Sequence, residues 1–176
     1  MNKKINVKKV KEKKLNKWVS LVTKEVKFNN KKKIYYFLKS CDYIAILAVT
    51  KNKKIPIVKQ FRPAIEKYTW EFPGGLMDKK LSPKKIAIEE IKEETGLTVE
   101  KIIKIKTCYT DTGRIINKIH FFYAKCSNKI KTVKDENIKV KFVNYNNLVK
   151  LIKENKFQYH LHISLLTLAK IKGLKI

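Results

Sequence analysis

A single α/β domain is predicted by three observations. Runs of β-branched and aromatic residues separated by polar turns dominate the first half, a sharply bounded helix follows a glycine pair, and two amphipathic segments end the chain. A length of 176 residues at 44% hydrophobic is ample for one core and short for two.

Taken in order, residues 1–14 are dominated by lysine and are expected to be disordered or loosely held. Residues 18–26 and 33–38 read as strands about the polar turn Asn29-Asn30, and 43–49 and 55–61 as a second pair joined at 51–54. Pro63 ends the last of these, and 68–72 forms a short strand leading into Pro73-Gly74-Gly75. A helix is predicted over 83–95: Ser82 can cap it, Pro83 suits the first helical position, and Gly96 supplies a left-handed stop. Ala87, Ile88 and Ile91 are its apolar strip. Strands near 99–110, 115–126 and 139–144 precede helices at about 146–155 and 162–172, the latter with apolar Ile163, Leu166, Ala169 and Ile171.

Composition excludes some classes. The longest apolar run, 43–49, is seven residues, against the roughly 20 of a membrane span. The first thirty residues carry no apolar signal core. Cys41, Cys108 and Cys126 are isolated and without metal spacing, which reads as buried free thiols in a reducing cytoplasm. The net charge of +27 would attract polyanions, but forty lysines spread over the chain beside only two arginines favour a general compositional bias over a nucleic-acid surface.

The stretch 73–97, PGGLMDKKLSPKKIAIEEIKEETGL, holds three of the five glycines and four glutamates. Glu90, Glu93 and Glu94 stand at i, i+3 and i+4, so a helix projects all three from one face. Crowded carboxylates are relieved by protonation, basic neighbours or a divalent cation, and Mg²⁺ suits an oxygen-only site shared with phosphates. The competing reading is a solvated charged face, since lysines line the same helix.

Here the chain resembles the Nudix hydrolases, whose signature is G-x5-E-x7-R-E-U-x-E-E-x-G-U with U bulky and apolar. Gly75, Glu90, Ile91, Glu93, Glu94, Gly96 and Leu97 match in register. Leu81 replaces the first glutamate of the pattern, and Glu89 replaces its arginine. Residues 58–78, VKQFRPAIEKYTWEFPGGLMD, are similar to the Q-[YF]-R-P and E-[LF]-P-[AG]-G segments of the ADP-ribose and nucleoside-diphosphate-sugar pyrophosphatase branch, with further likeness at 109–113 (YTDTG) and 135–143 (DENIKVKFV). The resemblance covers about 40–172, and 158–162 lacks the D-A-K-T-like sequence usual in that branch.

It implies a Nudix-type α/β/α sandwich with a mixed sheet and an N-terminal strand extension: a basic, strand-containing dimerisation element over 1–40 and the Nudix domain over 41–176. It implies hydrolysis of the pyrophosphate of ADP-ribose or UDP-glucose with Mg²⁺, for which Mn²⁺ can substitute. The metal ligands would be the Gly74 carbonyl and Glu90, Glu93 and Glu94, which are also the catalytic glutamates. Glu136, with Asp135 as rival, would be the loop base. Substrate-binding residues would be Arg62, whose fork suits phosphate, together with Glu71, Gly113 and Trp18, the last against the base across a homodimer interface. An ion pair of Arg62 with Glu66 or Glu71, and a core or interface role for Trp18, are the alternatives. Lys85 or Lys92 could stand in for the missing arginine. His120, His160 and His162 form no spaced metal set and receive no role. Two rival functions stand beside this one: a Nudix enzyme of RNA 5′ ends or dinucleoside polyphosphates, and a weakly active nucleotide-binding module.

Overall fold

Residues 43–50 are apolar at every position but the last, the pattern of a strand buried on both faces. In the computed structural model, which describes residues 5–29, 31–130 and 138–176, that strand is the centre of the molecule. The elements are β1 (Ile5–Lys14), β2 (Ser20–Phe28), β3 (Lys31–Lys39), β4 (Tyr43–Thr50), β5 (Ile55–Arg62), β6 (Lys67–Glu71), β7 (Gly74–Leu76), α1 (Pro83–Thr95), β8 (Leu97–Tyr109), β9 (Ile115–Ile116), β10 (Lys118–Ile130), β11 (Lys139–Val143), α2 (Tyr145–Lys153) and α3 (His160–Ile171). They form three sheets, ordered β1-β2-β3-β9, β7-β4-β10-β8 and β11-β5-β6.

Strand β4 runs parallel to β10 and antiparallel to β7. Its alternate residues serve different layers. Ile44, Ile46 and Ala48 pack with Phe122, Ala124 and Cys126 against Ile86, Ala87 and Ile91 of α1. Ala45, Leu47 and Val49 pack with Ile119, Phe121 and Tyr123 against β5, Leu148 of α2, and Leu161, Leu165, Leu166 and Ala169 of α3. The result is the predicted mixed-sheet α/β/α arrangement with an N-terminal strand extension.

Helix α1 begins and ends where the sequence indicates. Ser82 Oγ accepts from the Lys85 N–H, Pro83 opens the helix, and Gly96 closes it at φ 68°. At thirteen residues it would be marginal in isolation, so burial of Ile86, Ala87 and Ile91 holds it. The apolar strip therefore differs by one residue from expectation: Ile86 is buried, and Ile88, about 100° from Ala87 on the helix, is 37% exposed. Helix α3 starts two residues earlier than predicted and rests on Leu161, His162, Leu165, Leu166 and Ala169.

Residues 5–14 depart from the expectation of loose chain. They form β1, paired with β2 through a bulge between Lys9 and Lys11. Lysine-rich composition conceals this strand because long side chains can stand off a pleated ribbon into water while the backbone pairs. Asn29 turns the β2–β3 hairpin at φ 53°; Asn30 lies outside the described residues. Cys126 is buried, whereas Cys41 and Cys108 are only half-buried. Among the described residues no helix is long and apolar enough to cross a membrane.

Candidate active site

Three backbone anchors fix the turn from β6 into β7, where Pro73-Gly74-Gly75 meets α1. The Phe72 N–H donates to His162 Nδ1 at 2.9 Å, the Pro73 carbonyl accepts from the Ile46 N–H at 2.9 Å, and the Gly74 N–H donates to Glu94 Oε2 at 3.0 Å. Glycine is required twice. A Cβ on Gly74 would press into the Ile44 carbonyl, and one on Gly75 would occupy the space of the Glu90 carboxylate.

Glu90 and Glu94 thus meet the glycine turn, Glu90 half-buried and Glu94 only 7% exposed. Burial, reinforced by Glu90 and only partly offset by the Gly74 N–H, pushes the Glu94 carboxyl up to about 8. Burial and the neighbouring Glu93 also raise Glu90. Glu93 is itself half-buried. This cluster of oxygen donors short of positive charge is the electrostatic condition that a hard divalent cation relieves, so the donor set fits one. Among the described residues no three His, Cys, Asp or Glu side chains already converge at ligand spacing. A cation would therefore draw remaining ligands from backbone, water or substrate oxygens.

Glu89, which stands where the signature has arginine, pairs with a lysine of the preceding loop. Lys79 Nζ lies 3.1 Å from Glu89 Oε2. Its ammonium is raised by that hydrogen bond first and then by the charges of Glu93 and Glu90. Leu81, in place of the first glutamate, packs against the apolar cluster under α1.

Beside the turn opens a cleft of about 520 Å³, lined by Tyr43, Arg62, Glu71, Leu76, Tyr159 and His160 among others. Arg62 forks onto Glu71, Nε to Oε1 at 2.8 Å and Nη2 to Oε2 at 2.5 Å. Thr69 Oγ1 also donates to Glu71. Although burial opposes ionisation of Glu71, the Arg62 and Thr69 hydrogen bonds hold its carboxyl below the usual range, and the same pair raises the Arg62 guanidinium. Two of the five Arg62 donors are engaged by Glu71, leaving others for a ligand on this 36% exposed side chain. The pairing with Glu71 weighed from the sequence is present, and both partners line the cleft.

The other expected substrate residues are spread more widely. Gly113 sits in the exposed turn before β9, its N–H bonded to Asp111 Oδ1 at 2.6 Å. Trp18 is 43% exposed in the β1–β2 turn with Lys17 Nζ over its ring at 4.0 Å, which removes the core reading. Asp135 and Glu136 lie outside the described residues. Sequence reasoning missed Tyr43, Tyr159, His160 and His162. His162 had a signal: it leads Leu165, Leu166 and Ala169 by three, four and seven positions and so shares their buried face.

Comparison with known proteins agrees with this geometry. The NUDIX domain pattern matches residues 41–164. The ADP-ribose pyrophosphatase of Bacillus subtilis (strain 168) is 35% identical over 117 residues, 64% of this chain and 63% of that protein. The methanol dehydrogenase activator of Bacillus methanolicus is 34% identical over 82 residues, 47% of this chain and 44% of its own. A GDP-mannose pyrophosphatase of Escherichia coli O9:H4 (strain HS) is 29% identical over 128 residues, 64% of each. The chain thus spans less than two thirds of the length of each of these relatives. A crystal structure of an ADP compounds hydrolase superposes with a TM-score of 0.77 at 18% identity, covering 98% of this chain and 96% of that one.

Proposed function

The chain belongs to the Nudix family, and we propose that it is a divalent-metal-dependent pyrophosphohydrolase of nucleoside diphosphate sugars, with ADP-ribose as substrate ahead of UDP-glucose. The observation that carries this reading is the adjacency of two elements on one segment. Residues 71–76 present Glu94 and Glu90 with their glycine turn on one side and the Arg62–Glu71 cleft on the other. A pyrophosphate spanning them would place phosphate at the carboxylates and the nucleoside or sugar in the cleft.

Glu90 and Glu94 with the Gly74 carbonyl, assisted by Glu93, would hold Mg²⁺ or Mn²⁺. A cation held there would supply charge neutralisation at the phosphates and Lewis-acid activation of the attacking water. Arg62, kept charged and oriented by Glu71, binds a phosphate oxygen. Tyr43 and Tyr159 offer aromatic surface to the remainder of the ligand. Water adds to one phosphorus, the bridging P–O bond breaks, and the proton from water passes to a base, which we assign to Glu136 with Asp135 as rival. ADP-ribose gives AMP and ribose 5-phosphate.

We further infer a homodimer built through residues 1–40. Ile5, Val7, Val10, Leu15, Ile34, Tyr36 and Leu38 are each more than 40% exposed on the β1–β3 ribbon, apolar surface that a partner subunit would cover. Trp18 would then reach a neighbouring site. A panel of nucleotide sugars incubated with Mg²⁺, with both products identified by mass spectrometry, tests the assignment. Turnover of ADP-ribose to the two monophosphates is expected. Turnover confined to RNA 5′ ends or dinucleoside polyphosphates, or binding without hydrolysis, would overturn it.

A further inference from the structure

We propose that His162 is a positioning residue that ties α3 to the glycine turn and thereby sets the geometry of Gly74 and Glu94. The proposal rests on the assignment of that turn to the catalytic site.

Phe72, Pro73 and Gly74 are each hydrogen-bonded to a different element: α3 through His162, β4 through Ile46, and α1 through Glu94. Two of these anchors are a backbone pair and a carboxylate. The third is the imidazole alone, and it precedes the Gly74 amide by two residues. Its orientation is fixed from all sides: His162 is fully buried, with ring centroids of Tyr159 at 4.5 Å, Phe72 at 5.8 Å, Tyr43 at 6.2 Å and Phe157 at 6.3 Å. Tyr43 and Tyr159 also line the cleft, so the imidazole stands directly behind the cleft wall.

Accepting from the Phe72 N–H requires an unprotonated Nδ1 and so places the proton of the neutral ring on Nε2. Nε2 is buried and without a hydrogen-bond partner among the described residues. A buried donor left unpaired lowers stability, and a leucine or phenylalanine would fill the same space without that cost. Core filling therefore does not explain a histidine here. Its acceptor, directed at the backbone that leads into Gly74, does.

The two functions of the side chain, bulk and acceptor, can be separated. His162→Phe keeps an aromatic ring and removes the acceptor; in His162→Asn the amide oxygen can take the place of Nδ1. For His162→Phe we expect amide exchange across residues 72–75 to accelerate about tenfold or more, relative to the rest of the sheet, as an anchoring bond is lost. We expect kcat to fall about tenfold with KM within about twofold, the signature of lost transition-state alignment. His162→Asn should recover most of both. Unchanged exchange and turnover in a folded His162→Phe protein, or equal impairment in the two variants, would overturn the proposal. Should either variant fail to fold, ¹⁵N spectra of the wild-type imidazole decide: an Nε2–H tautomer with Nδ1 accepting is expected, and an Nδ1–H tautomer overturns it. Exchange and tautomer need no substrate, so they judge His162 independently of whether ADP-ribose is hydrolysed.

Discussion

The sheet around β4 and the ribbon β1–β3 solve opposite problems with the same secondary structure. Every residue from Ile44 to Thr50 is buried, each side of the strand covered by a helix layer of the same chain. All of β1 except Glu12 is exposed, and on β3 only Tyr35 and Phe37 escape full exposure. Composition differs, β1 being mostly lysine and β4 almost wholly apolar, yet the ribbon also carries Ile5, Val7, Ile34 and Leu38, residues as apolar as Ile44 or Leu47. What separates them is whether the chain supplies a cover. The central sheet is covered within one chain and carries the proposed chemistry; the ribbon leaves its apolar side chains exposed.

Removing the ribbon is the largest perturbation of that contrast. Deleting residues 1–40 is expected to convert a dimer into a monomer by light scattering at about 0.15 M salt, where long-range charge repulsion is screened, and to abolish turnover. Calorimetry should still show a cooperative transition from the sandwich. A fully active monomer from the same deletion would show that each site is built from a single chain.

Next in size is the chemistry of the covered region. Glu94→Gln and Glu90→Gln are each expected to lower kcat by at least about a hundredfold, the scale of losing one electrostatic contact to the transition state, with the fold retained in circular dichroism. Near-normal turnover in both would remove the helix carboxylates from the reaction.

Acid acts on the covered region through opposed groups. Burial depresses the His162 imidazole to about 3, below its ordinary value of 6.5, so the folded protein holds it neutral while the unfolded chain protonates it readily. The stability it contributes is therefore present above pH 6.5 and lost as pH falls toward 3. The slope approaches about 1.4 kcal/mol per pH unit. Glu94, whose raised carboxyl is protonated in the fold and ionised in the unfolded chain over the same interval, opposes this loss, so urea unfolding at pH 7 and pH 5 should show the wild type losing more stability, or gaining less, than His162→Asn. Equal acid sensitivity would place the responsible group elsewhere.

The smallest effect belongs to the rim of the site. Lys79→Ala breaks an exposed pair worth at most about 1 kcal/mol, so a decrease in kcat/KM of about twofold to fivefold is expected. Lys85→Ala and Lys92→Ala should leave it unchanged. The opposite ranking would return the arginine's role to the helix lysines.

How far these features could be read from the sequence follows the range of the interaction. The α1 boundaries were legible because Ser82, Pro83 and Gly96 act within one turn of themselves. The glycine turn and its glutamates were legible through fixed spacing along the same segment. Lys79 was missed as the partner of Glu89 because a pair ten residues apart depends on how the 77–82 loop folds back, which helical periodicity does not encode. His162 lies 90 residues from Phe72, and only the buried phase of α3 hinted at it. Strand β1 was hidden by composition: its lysines mask an Ile5-Val7 alternation that a bulge then breaks at Lys9–Lys11.

The alternation of β4 carries one more consequence. Ile44, Ile46 and Ala48 belong to one cluster and Ala45, Leu47 and Val49 to the other, so side-chain substitutions on one side of this wall need not be matched on the other. The two compartments can drift apart in sequence as if they were separate proteins. They meet at the backbones of β4, β10 and β8, which give residues to both, and Gly74 and Gly75 pair with β4 opposite Ala45 and Ile44. Through that pairing the turn that meets Glu90 and Glu94 is in contact with the strand between both compartments.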